Sequence, residues 1–155
     1  MATRKGAAAF SAVAGVATFA SLSFDKVGKY TLQATDGALV SPISNAITVG
    51  AGAASQLIVT QAPNTGTAGV ALAPAVKITQ VDAYGNTSAA TGTVTLTLNT
   101  GVFSTGLATV SASLSSGVAT FSSLILNVSG SYTLSATSGT LAGTSLAITV
   151  NAAAA

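Results

Sequence analysis

The sequence predicts an all-β protein: one complete β-sandwich of about seven strands, preceded by the C-terminal half of another. Three observations support this fold class. Short apolar segments alternate with polar residues at a period of two, which is typical of half-buried strands. Val and Thr, which favour pleated surfaces, are abundant, whereas charged residues make up only 5% of the chain. Finally, the sequence repeats itself.

The internal repeat has a period of about 100 residues, the size of one sandwich domain. Its offset is 102 residues and falls to 101 after one extra residue near Ser41. The matched segments are Gly15–Leu22 with Gly117–Leu124, Gly28–Thr35 with Gly130–Thr137, and Ala46–Val49 with Ala147–Val150.

The repeat divides the chain into four parts. Residues 1–50 are the C-terminal half of one repeat, with three strands, and residues 51–54 are a Gly/Ala linker. Residues 55–150 are a complete repeat, and residues 151–155 begin the next linker.

Seven strands are predicted in the complete repeat, each bounded by turn residues. In order they are Gln56–Gln61, Ala75–Val81, Thr93–Asn99, Leu107–Ser111, Gly117–Phe121, Ser131–Ala136 and Ser145–Val150.

Alternation within the strands predicts which side chains face the core. Val94, Leu96 and Leu98 share one face of the third strand, and Tyr132, Leu134 and Ala136 share one face of the sixth. The second strand breaks this pattern, because Gln80 takes an apolar position and Val81 a polar one. That exchange suggests a β-bulge. Pro63–Gly66 is predicted to be a turn.

Two motifs resemble bacterial immunoglobulin-like repeats of the invasin/intimin type and filamin-like relatives. Val76-x-Ile78 leading to Asp82-Ala83-Tyr84-Gly85-Asn86 is similar to their second-strand signature. Gly130-x-Tyr132-x-Leu134-x-Ala136 is similar to the tyrosine-corner strand of immunoglobulin-like folds, and Gly28-x-Tyr30-x-Leu32-x-Ala34 repeats it.

The resemblance implies structural roles for Gly28, Tyr30, Gly130 and Tyr132, with each Tyr hydroxyl bonded to nearby backbone. It also implies a turn held by Asp82, Gly85 and Asn86. Ala34 and Ala136 stand where antibody domains carry Cys, so the disulfide is absent. The family context implies a repeat of a large extracellular or surface-attached bacterial protein, whose partners are neighbouring repeats of the same array.

The composition argues against catalysis and against several kinds of partner. His and Glu are absent, and the three Asp residues lie far apart in sequence, so we expect no enzyme. Lys and Arg number only five and form no cluster, so we expect no nucleic-acid binding. Apolar runs are too short for a membrane helix. The start, with Arg4 and Lys5 before a weak Ala-rich segment, has some features of a signal peptide, but its second half belongs to the repeat.

We also expect no cofactor and no metal site. Cys is absent, and the linker 51–54 carries no carboxylate. Asp82 and Asn86 offer two oxygens, but at this spacing they favour an Asx-type turn over a calcium site.

Two functions from different classes follow. A structural repeat would act as a passive stalk or spacer, part of an adhesin for example. A binding module would recognise a host protein or glycan through its end loops, with Tyr84 as the candidate residue. The half repeat leaves two further explanations: the chain is a fragment of a longer array, or a neighbouring subunit supplies the missing strands and chains assemble into a filament by strand complementation.

Overall fold

The structure is a computed structural model that describes residues 4–5, 9–143 and 145–154. It has two compact units, Met1–Ala51 and Gly52–Ala155, and the division falls inside the predicted linker 51–54. Part of the signal-like start, residues 6–8, lies outside the described residues, as do Thr144 and Ala155. No helix in the described part of the chain is long and apolar enough to cross a membrane.

The first unit contains short strands only. They are β1 (Arg4–Lys5), β2 (Ser23–Phe24), β3 (Gly28–Tyr30), β4 (Thr35–Asp36), β5 (Leu39–Val40) and β6 (Ile47–Val49). They pair antiparallel as β1 with β2, β3 with β6, and β4 with β5.

The second unit is a β-sandwich. Its strands are β7 (Gln56–Gln61), β8 (Thr65–Thr67), β9 (Val76–Val81), β10 (Thr93–Leu98), β11 (Thr109–Ser113), β12 (Val118–Phe121), β13 (Gly130–Ser138), β14 (Leu141–Ala142) and β15 (Leu146–Asn151). Among the described residues, one sheet has the order β12-β9-β7 and the other β11-β10-β13-β15-β8, with β14 paired to β13. The all-β prediction is confirmed, and each of the seven predicted strands has a counterpart within two residues at either end.

The core lies between the two sheets and is formed by the predicted inward faces. Val94, Leu96 and Leu98 are buried on β10, and Tyr132, Leu134 and Ala136 are buried on β13. The facing sheet contributes Val76, Ile78, Ala119, Phe121 and Leu57. Period-two alternation therefore predicted the core faces of β10 and β13 correctly.

The prediction of a bulge at Gln80 and Val81 is wrong. β9 pairs without interruption from Lys77 to Val81, and the register shift lies on the neighbouring strand, between Val59 and Gln61. Gln80 remains on the core side because its Nε2 donates a 2.9 Å hydrogen bond to Ser138 Oγ. The bond to Ser138 satisfies the donor side of the amide, whereas the Oε1 atom is buried without a hydrogen-bond partner among the described residues.

The predicted turn at Pro63–Gly66 is also only partly correct. Thr65 and Gly66 belong to β8, which pairs in parallel with the end of β15. The chain thus crosses from one sheet to the other within the few residues after β7. Three residues with a glycine in the middle are too short for alternation to reveal a strand.

Parts of the first unit repeat the local backbone structure of the second. Lys29 pairs with Thr48 as Ser131 pairs with Thr149, and the β4–β5 pairing has its counterpart in β13–β14. The tight turn at Gly15 has φ 79°, the same value as at Gly117. The sequence repeat is therefore also a repeat of local conformation.

Candidate functional site

The turn that follows β9 is organised around the carboxylate of Asp82, which accepts four hydrogen bonds. The Oδ1 atom of Asp82 accepts hydrogen bonds from the backbone N–H groups of Tyr84 and Asn86, both 2.9 Å. Its Oδ2 atom accepts from Asn86 Nδ2 and from the backbone N–H of Gly52, both also 2.9 Å. Each carboxylate oxygen thus has two donors.

Backbone hydrogen bonds within the turn also hold this loop closed. The N–H of Asp82 donates to the carbonyl of Asn86 at 2.9 Å, and the N–H of Gly85 donates to the carbonyl of Asp82 at 3.0 Å. Gly85 has φ 76°, a left-handed conformation that glycine adopts without steric cost. The turn is consequently fixed by its own sequence, since Asp, Gly and Asn each satisfy one requirement of it.

Hydrogen bonding holds the pKa of the Asp82 carboxyl well below its ordinary value of 3.8. The side-chain amide of Asn86 is the largest cause of this lowering. Burial of the carboxylate opposes it, and the backbone N–H groups of Asn86, Gly52 and Tyr84 lower the pKa further. Asp82 is therefore a charged, buried group whose partners are dipoles rather than a cation.

These bonds bear on whether Asp82 could bind a metal ion. A calcium ion needs six to eight oxygen ligands, but both oxygens of Asp82 already accept two N–H bonds each. The described residues contain no group of three or more potential metal ligands. The arrangement is that of an Asx-type turn with an added contact to Gly52. The absence of a metal and of catalysis stays a prediction.

Tyr84 is 53% exposed at the tip of this turn. Its backbone N–H is bonded to Asp82, so the residue is held at a fixed point although its side chain reaches solvent. The predicted binding-loop residue is thus not covered by the sandwich.

The two tyrosine-corner residues occupy equivalent positions. The hydroxyl of Tyr132 donates to the carbonyl of Val128 at 2.8 Å, and that of Tyr30 donates to the carbonyl of Lys26 at 2.9 Å. Each ring packs over the glycine two residues earlier, Gly130 or Gly28, where a Cβ would touch it. In each unit, the Tyr and the Gly therefore hold the chain segment that leads into a strand.

Sequence reasoning did not find the contact between Gly52 and Asp82. The two residues are 30 positions apart, and a backbone donor in a Gly/Ala linker leaves no mark on the sequence. Nor did it find the Gln80–Ser138 bond, which joins two residues 58 positions apart.

Comparison with known proteins gives a limited result. No protein-family model matches the chain, and no curated protein matches it. The chain is similar to the crystal structure of the S-layer protein SbsC domains 4 and 5, with 21% identity and a TM-score of 0.39. That similarity covers 83% of this chain and 59% of the SbsC chain. A structure of surface layer protein SbsC domains 4–9 is similar over 83% of this chain and 18% of its own, with 21% identity and a TM-score of 0.37.

The chain thus spans less than two thirds of the length of either SbsC structure. Because both TM-scores lie below 0.5, the function of this chain has to be argued from its own residues.

Proposed function

We propose that this chain is part of an end-to-end array of β-sandwich repeats that forms a stalk or spacer on a bacterial cell surface. The observation that carries the proposal is the course of the chain through the second unit. A repeat can extend an array only if the chain enters at one end of the domain and leaves at the other.

The chain enters the second unit at the end that holds Asp82, where Gly52 is bonded to the carboxylate. Gly143, three residues before β15, forms a parallel bridge with Leu57, and Leu57 pairs with Gln80 near this same end. β15 therefore starts at the Asp82 end and runs away from it to Asn151. The chain leaves at the opposite end.

Two features suit a repeat through which the chain passes from one end to the other. The Asp82 turn ties Gly52 of the linker to the sandwich, so the segment before β7 is anchored. At the far end, β15 pairs in parallel with β8 through Thr149–Thr65, Val150–Gly66 and Asn151–Thr67. The few charges of the chain leave Ser and Thr to solvate the surface, which agrees with a passive role.

Small-angle scattering of one, two and three joined copies of residues 52–151 tests this function. The nine residues of β13 span about 30 Å, so each added repeat should lengthen the particle by about 30 Å or more at constant cross-section. A compact particle whose cross-section grows with each copy would contradict the stalk. The surface location is tested separately, by labelling intact producing cells with an antibody against residues 52–155.

One observation favours binding as a second function. Tyr84 is 53% exposed on a turn that its neighbours hold rigid, and an aromatic side chain fixed in this way can recognise a protein or a glycan. The test is a glycan array and a matrix-protein screen with the natural chain and with Tyr84→Ala. Binding that disappears in this variant supports the module, whereas binding that survives the substitution contradicts it.

A further inference from the structure

The first unit exposes the face that forms the core of the second unit. Phe19 is 39% exposed, whereas its counterpart Phe121 is 4% exposed. Ile47 is 39% exposed, whereas its counterpart Ile148 is 2% exposed. The side chains are the same, but Phe121 lies in β12, which pairs with β9, whereas Phe19 lies outside the strands of the first unit. The difference in exposure therefore comes from the strands that pair with and cover these residues in the second unit.

Phe19 of this face also lines a cleft of about 870 Å³ in the first unit, and most of the large side chains that line the cleft are apolar. The rings of Phe10 and Phe19 pack edge-to-face with centroids 5.2 Å apart, and Leu39 and Val40 of β5 also line the cleft. Large apolar side chains exposed together around one cleft are typical of an interaction site.

Part of the backbone of the first unit already has the local conformation that it has in the complete sandwich. The turn from Val13 to Val16 makes the same pair of backbone hydrogen bonds, 2.9 and 3.0 Å, as the turn from Ser115 to Val118. β3 and β6 pair in the register of β13 and β15. A partner would therefore meet a surface whose β3–β6 part is preorganised, which lowers the ordering cost of binding there.

In the second unit, the equivalent face is covered by other residues of the same sandwich. Leu57 of β7, Ile78 of β9 and Leu96 of β10 are buried in one cluster with Phe121, Leu134 and Ile148. All of the covering residues lie within residues 55–113, here called the front half. Residues 114–150 are the back half, and residues 12–49 are its counterpart in the first unit.

We propose that the open face of the first unit binds the front half of a repeat, a polypeptide with the strand pattern of residues 55–113, and so completes a second sandwich. The proposal rests on the array function argued above, and it adds the partner of the first unit. The face selects a multi-stranded polypeptide because its surface and the free strand edges beside it must be covered at once.

Another intact copy of the chain does not meet this need. In each copy the front half is already packed against its own back half, so an intact copy has no front half free to cover a second face. The occupant is consequently an additional front half.

Gly15 gives an independent sign of such a partner. A Cβ at Gly117 would collide with the backbone oxygen of Ser88, which belongs to the front half, whereas a Cβ at Gly15 would meet nothing within 4 Å. The space that Ser88 fills beside Gly117 is thus open beside Gly15.

The test adds a synthetic polypeptide of residues 52–113 to the full chain and follows amide hydrogen exchange. We expect exchange at residues 28–30 and 47–49 to slow about tenfold or more, with one polypeptide bound per chain. The matched control is the same polypeptide with Val94→Asp and Leu96→Asp, which cannot cover an apolar face and should not slow exchange. Equal slowing by both polypeptides, or by a second intact chain, would overturn the proposal.

If the free polypeptide is insoluble, a fused chain provides the same test. Residues 52–113 are placed directly before Ala12, where the repeat offset puts them. We expect residues 28–30 and 47–49 to become as protected as residues 130–132 and 148–150. If they exchange as in the natural chain while the second unit stays folded, the proposal is wrong. A failure of the stalk function would appear in the scattering and cell-labelling experiments and would leave this exchange result unchanged.

Discussion

The carboxylate of Asp82 accepts a 2.9 Å hydrogen bond from the backbone N–H of Gly52, 30 residues earlier in the chain. The same carboxylate organises the turn after β9 through Tyr84 and Asn86. One buried charge therefore joins the segment where the chain enters the sandwich to a loop at the same end. This relationship makes the stability of the second unit dependent on the ionisation of Asp82.

Asp82→Asn should destabilise the second unit at pH 7. The substitution keeps the shape of the side chain but replaces one acceptor oxygen by an NH₂ donor that faces existing N–H donors. Urea unfolding should show a lower midpoint for the variant. Asp36→Asn, the same chemical change on an exposed strand of the first unit, should leave the midpoint of the second unit unchanged.

The same variant should also change the pH dependence. The folded state lowers the pKa of Asp82 below 3.8, so its contribution is complete well above that pH and is lost as the pH falls below it. The difference in unfolding midpoint between the natural chain and Asp82→Asn should thus be constant from pH 7 to 5 and shrink between pH 4 and 2. A difference that stays constant down to pH 2 would contradict the assigned role of the charge.

Gly117→Ala should strongly destabilise the second unit. Gly117 has φ 79°, which costs a residue with a Cβ about 1–2 kcal/mol, and the new Cβ collides with the backbone oxygen of Ser88. Overpacking adds about 1–3 kcal/mol, so the melting temperature should fall by about 8 °C or more. Gly15→Ala is the matched control, because it has the same φ and no neighbour, and it should leave the melting temperature of the second unit unchanged.

Sequence patterns predicted the parts of this fold that depend on residues close together in the chain. Alternation on β10 and β13 identified the core faces, and the order Asp82, Gly85, Asn86 identified the turn. The patterns failed where distant residues decide the outcome. Gln80 stays on the core side because of Ser138, and β8 exists because β15 lies beside it. Such partners leave no periodic signal in either segment.

Tyr132→Phe should cost the second unit about 1 kcal/mol, because it removes the hydrogen bond from the hydroxyl to the carbonyl of Val128. For a domain of this size the melting temperature should fall by about 4–8 °C, as calorimetry can measure. Tyr30→Phe removes the equivalent bond to Lys26 and should not change the transition of the second unit. Equal effects of the two substitutions would show that the units unfold together.

The two pieces of the chain should differ in their ability to fold alone. Residues 51–155 contain the entire buried cluster and should unfold in one cooperative thermal transition. Residues 1–50 have the same local turns and pairings but leave Phe19 and Ile47 substantially exposed, so they should show no such transition.

Leu134→Ala and Leu32→Ala provide the matched substitutions within the full chain. Leu134 is fully buried, and its truncation should cost about 2–5 kcal/mol, whereas Leu32, at the same position of the repeat, is only half-buried. The truncation of Leu32 should leave the unfolding transition of the second unit unchanged in the natural chain. It should become costly in the fused chain that carries the added front half, because there the same leucine would lie inside a core. A costly Leu32→Ala in the natural chain would mean that the first unit already has a core of its own, and it would contradict the open face described above.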